Sequence, residues 1–83
     1  MACLASARRE LSYRQGKRAL AAHDAAAAVK LFRAAVSACP AAERRELARD
    51  LYWLSVALRR LGKDGLAIKA LANAQRLEPR GRS

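Results

Sequence analysis

The chain has few residues that interrupt a helix: four glycines and two prolines in 83 residues. No stretch alternates apolar and polar side chains as a half-buried strand does. Both absences point to an all-α chain with few breaks. Phosphate-cradling loops need clustered glycines opening a helix, and none occurs. His23 is the only histidine, and Cys3 and Cys39 lie 36 residues apart. That spacing does not suit a metal site, and one histidine cannot complete one. Two readings of the cysteines stay open. Cys39 is a small buried side chain and Cys3 a terminal thiol, or a disulfide ties the N-terminus to the end of the second helix. There is no nucleophile motif. The seven acids are scattered over what read as solvated helix faces, so no carboxylate pair is expected. The chain reads as non-enzymatic, with no cofactor.

Long apolar runs are missing too. Nothing approaches the roughly 18–20 residues of a membrane span. Residues 1–7 are apolar but too few for a signal-peptide core, and Arg8 and Arg9 follow at once. The segment to Ala22 is rich in Arg and Ala with one acid, Glu10, and so imitates an organellar transit peptide. It reads better as a structural helix of a cytoplasmic protein, because the repeat positions downstream need a partner helix.

What is abundant is alanine and arginine. The composition is 53% hydrophobic, but 21 of those residues are Ala, each burying little area. The larger apolar side chains must do most of the burying. Seventeen Lys and Arg against seven acids give a net charge of +10. That favours solubility and acidic or polyanionic partners. At 83 residues the chain is one domain, 1–83, near the low end for independent stability.

A repeat organises it. Gly16, Ala28, Phe32, Ala35 and Pro40 recur 39 residues later as Ser55, Ala67, Leu71, Ala74 and Pro79. With Leu51, Leu54 and Leu58, the second copy reads as two helices around Gly62-Lys63-Asp64-Gly65. This pattern resembles the tetratricopeptide repeat (TPR), a helix-turn-helix unit of about 34 residues. The first copy departs from it at Ser12, Gln15 and Ala19, where the family uses large apolar residues. The resemblance implies two TPR-like hairpins, four antiparallel helices in a right-handed solenoid-type stack. Repeat one covers about 9–42 and repeat two about 48–81.

The helix bounds follow from caps and periodicity. The first helix runs over about 7–22, with Leu11 and Leu20 as its large apolar residues and Glu10–Arg14 as an i, i+4 pair. Asp24 caps the second, which ends near Ala38 before Pro40. The segment 41–47 has no Gly, Pro or Asn and reads as an N-terminal extension of the third helix, about 41–61. Its stripe is Leu47, Leu51, Leu54, Leu58 and Leu61, and Gly62 stops it. Asp64 caps the fourth, which runs to about Leu77 with Leu66, Ala67, Ala70, Leu71, Ala74 and Leu77 inward.

At 100° per residue, Trp53 falls nearly opposite the Leu51/Leu54/Ser55/Leu58 face. In the family's register Glu10, Tyr13, Lys17, Arg49, Tyr52, Val56 and Arg59 take groove-lining positions. The resemblance thus implies a groove of Tyr13, Lys17, Arg49, Tyr52, Trp53, Val56 and Arg59 for an acidic, partly apolar protein or peptide. The other reading of Trp53 packs it against the first helix or the third helix's extension. The family's carboxylate clamp does not carry over, since Tyr13 and Lys17 stand at two of its positions. The alternative function is a basic accessory protein that binds nucleic acid through Arg8-Arg9, Arg44-Arg45, Arg59-Arg60 and Arg80/Arg82. Ile68, Trp53 and Val56, lying off the inward stripes, add the expectation of a homodimer.

Overall fold

The structure is a computed structural model that describes residues 6–38 and 44–77. Four α-helices make up these residues, with no strand among them: α1 (Ser6–Ala21), α2 (Ala25–Ala38), α3 (Arg44–Arg60) and α4 (Asp64–Leu77). Helix α3 is continuous from Arg44, while 41–43 of its expected extension lie outside the described residues. So do Cys3, Cys39, Pro40 and Pro79.

The two short links share one geometry. His23 has φ of 64° and Gly62 has φ of 90°. His23 donates its N–H to the Leu20 carbonyl at 3.0 Å, and Asp24 donates to Ala19 at 2.8 Å. Thirty-nine residues on, Gly62 donates to Arg59 at 3.0 Å and Lys63 to Leu58 at 2.8 Å. This paired bonding around one left-handed residue is the Schellman cap. It satisfies carbonyls that the helix end leaves open and turns the chain back sharply. Gly62 suits it at no steric cost; His23 does so against the usual preference. Asp24 then caps α2, its Oδ1 accepting the Ala27 N–H at 3.2 Å. The expected cap at Asp64 is corrected: Asp64 already lies in the first turn of α4, and Lys63 holds the place of Asp24. The Asp64 charge still suits the positive end of that helix.

Each helix packs chiefly on its sequence neighbours, so α2 and α3 join the two hairpins, and α1 meets α3 more narrowly. The shared core holds Leu20, Val29, Phe32, Leu54 and Leu58, with Ala28, Ala57, Ala67 and Ala70 filling close crossings. Phe32 is wholly buried, and that alone stabilises by roughly 1.5–3 kcal/mol. Gly16 makes room for it, since a Cβ there would sit 2.7 Å from the ring. Two large apolar residues expected inside, Leu61 and Leu66, are exposed, as is Leu11, while Leu20, Leu54 and Leu58 pack with Val29, Phe32 and the alanines in the core.

Candidate binding surface

Two carboxylates on α3, Glu46 and Asp50, are four residues apart and so share a face. That face meets α1. Arg9, itself buried, donates to Glu46, and its Nε lies 4.0 Å from Asp50 Oδ2. Arg49 answers from the other side. Its Nη2 donates to Glu10 at 2.9 Å and to Asp50 Oδ1 at 3.1 Å, and its Nε also donates to Asp50 Oδ1 at 3.2 Å. Three acids therefore surround two arginines. Asp50 is completely buried, and its Oδ2 and the Arg9 Nε and Nη1 accept or donate no hydrogen bond.

Burial pushes the Asp50 carboxyl above its ordinary range, outweighing the pull of Arg49 and Arg9. Burial also works against the Arg49 charge, yet the bonds to Glu10 and Asp50 win and hold its pKa above the usual value. This cluster corrects three expectations. The acids are not all solvated, Glu10 pairs with Arg49 rather than Arg14, and Arg9 is not free for a nucleic-acid surface. The signal in the sequence was the acid pair at 46 and 50, but nothing there placed Arg9 against it.

Aromatic rings continue the row. The Arg49 guanidinium lies 3.7 Å from the Tyr13 ring centre. Lys17 Nζ sits 4.8 Å from the Trp53 ring and 5.6 Å from Tyr13. Trp53 stacks on Phe32 of α2 at 6.5 Å, and Tyr52 meets Trp53 edge-on at 5.6 Å. Such cation–ring contacts contribute about 0.5–1 kcal/mol each when exposed. Trp53 is half-buried between α2 and Lys17, so it is no free anchor. It thus meets the first helix, one of its two expected partners, through Lys17, and in addition stacks on Phe32 of α2, which was not expected. Val56 is half-buried against the core as well.

Of the seven expected groove residues, Tyr13, Lys17, Arg49 and Trp53 come together on the α1/α3 face. Tyr52, Val56 and Arg59 line a hollow of about 190 Å³ toward Leu71 on α4. Beside it lies a groove of about 420 Å³ between α3 and α4. Ala48, Leu71 and Ala74 form its apolar floor, and Arg45, Arg49, Tyr52 and Gln75 its rim. Tyr52 and Leu71 belong to both. Sequence reasoning missed Arg45, Ala48 and Gln75 as lining residues, since the residues 39 positions earlier, Ser6, Arg9 and Val36, are unlike them and the repeat pattern does not mark them.

No known protein family, curated protein or solved structure matches the chain. Among the described residues no cluster of His, Cys, Asp or Glu could hold a metal ion, and no helix is long and apolar enough to cross a membrane. What the surface offers chemically is fixed cations over aromatic faces, opening onto an apolar groove.

Proposed function

We propose that the chain is a non-enzymatic interaction module of TPR-like build, two helix-turn-helix hairpins stacked in a right-handed sense, that binds a protein segment. Support for the repeat comes from the two Schellman links, which use the same bonds 39 residues apart. The single observation that carries the binding reading is the row from Lys17 and Arg49 through Tyr52 into the apolar groove. Aromatic and arginine side chains around a small apolar floor are the usual anchors of a protein interface. The excess of basic charge makes an acidic, partly apolar segment the preferred ligand. A homodimer is proposed alongside, through the exposed Leu66 and its neighbouring hollow.

The second reading, polyanion binding, is favoured by the +10 charge. One experiment separates them: capture from native extract at low and high salt, with the wild type, Lys17→Glu and Tyr52→Ala. Protein retained at high salt by the wild type and lost by either variant is the expected result. Nucleic acid alone, released by salt, would favour the polyanion.

A further inference from the structure

All seven residues around the α3/α4 groove stand 39 positions after a residue of the first hairpin: Ala48 after Arg9, Arg49 after Glu10, Tyr52 after Tyr13, Leu71 after Phe32. Those four first-hairpin residues all touch α3. Arg9 and Glu10 pair with its Glu46, Asp50 and Arg49, Tyr13 lies under Arg49, and Phe32 stacks on Trp53. The remaining three follow Ser6, Ala35 and Val36. The groove is thus a second copy of the bed in which α3 already lies, and it is open. Exposure says the same. Val29 is 7% exposed in the shared core, whereas its counterpart Ile68 is 62% exposed.

We propose that this bed docks one amphipathic helix of a partner protein, lying on α3 and α4 as α3 lies on α1 and α2. The differences between the beds specify its chemistry. Glu10 receives an arginine of α3, but its counterpart is Arg49, so the docking helix carries Asp or Glu in that place. Arg45 adds a second positive rim charge where the first hairpin has Ser6. Leu71 keeps the large apolar contact of Phe32, so a large apolar residue follows the acid by four positions, as Trp53 follows Arg49. Leu54 and Ala57 share the core with Val29, so their counterparts are apolar and cover Ile68. The pattern is an acid at i, large apolar residues at i+4 and i+5, and a small one at i+8.

The α1 of another copy does not fit. In the same register it presents Glu10, Arg14, Gln15 and Arg18. The acid matches, but two arginines and a glutamine replace the apolar anchors and would meet a basic rim. Head-to-tail stacking of copies is therefore disfavoured, and the occupant is a different, acidic chain.

This inference rests on the repeat correspondence of the preceding reading and not on its α1/α3 face. Its probe is a labelled synthetic peptide of residues 44–60 carrying Arg49→Glu and Asp50→Ala, since Ala48 stands where Arg9 receives Asp50, held helical by a lactam bridge between positions 48 and 52. Fluorescence anisotropy with the intact protein is expected to show binding, with amide shifts at Tyr52 and Leu71. The same peptide with Arg49 retained is expected to bind at least about tenfold more weakly, as like charges meet. Ile68→Lys and Arg45→Glu, both at exposed positions that leave the fold intact, are each expected to weaken the charge-swapped peptide by a similar factor. Lys17→Glu is expected to leave it unchanged, whereas it should abolish capture if the α1/α3 reading is right, so the two can fail separately. Absence of binding, equal binding of both peptides, or indifference to Ile68→Lys and Arg45→Glu would overturn the proposal. So would self-association of the wild type that Ile68→Lys removes, since the bed would then hold a second copy.

Discussion

Asp50 is a carboxylate whose surroundings take it away from its ordinary behaviour. It is wholly buried among Arg9, Arg49, Glu10 and Glu46, so that with Asp50 itself three acids meet two arginines. Its pKa is raised by burial, so the folded chain holds a proton there more readily than the unfolded chain. The sign follows by linkage. Asp50 contributes stability that is complete below the ordinary carboxylate pKa and lost as pH rises through the raised value. Asp50→Asn keeps an oxygen for Arg49 and removes the surplus charge. It is expected to raise stability at neutral pH and to flatten the fall that sets in as pH rises above the ordinary carboxylate range. Asp50→Ala removes the acceptor and is expected to destabilise by about 1–3 kcal/mol, because the arginine N–H groups are left unpaired. Urea titrations across that pH range measure both. A larger loss for Asn than for Ala would contradict the assignment.

Among the elements, the crossing of each hairpin is set by one small residue and one large one. Gly16 faces Phe32, and at the equivalent place Ser55 lies near Leu71. The pairs compensate in size. Gly16→Ala gains about 1 kcal/mol of helix propensity but pushes a Cβ into a buried ring, a loss of about 1–3 kcal/mol. Net destabilisation near 1 kcal/mol is expected in thermal or urea unfolding. Gly16→Ser with Phe32→Leu, copying the second hairpin, is expected to lose about 1 kcal/mol less than the two single changes added together. Simple additivity would refute the pairing. These same positions explain what was legible in the sequence. The four helices follow from sparse glycine and proline, and Gly62 as a stop follows from its freedom at positive φ. Asp24 as a cap follows from its short acceptor side chain. The α1/α3 cluster was not legible, because burial of Arg9 and Asp50 depends on how one hairpin lies on another. Periodicity within a helix carries no such information. Leu66 failed for a related reason: its place on the wheel is apolar, but in the fold it stands exposed at a hollow that it lines with Leu51, Leu54 and Leu58.

At the scale of the whole molecule, charge and apolar surface oppose each other. Two chains of +10 repel, while Leu66 projects beside a hollow of about 190 Å³ walled partly by Leu51, Leu54 and Leu58. A two-fold contact could seat each Leu66 in the hollow of the other copy, since isologous pairing buries the same patch twice. Arg33 also lines that hollow, so the contact would bring like charges together at its rim. Salt therefore decides the balance, with a screening length of about 10 Å at 0.1 M and about 3 Å at 1 M. The proposed dimer is expected to strengthen as salt rises, to weaken in Leu66→Lys, and to persist in Ile68→Lys, which does not line that hollow. Sedimentation equilibrium across a salt series reads all three. Association that weakens with salt would instead identify arginine–carboxylate pairs as the contact. A strict monomer at every salt concentration would leave Leu66 to a partner of different sequence.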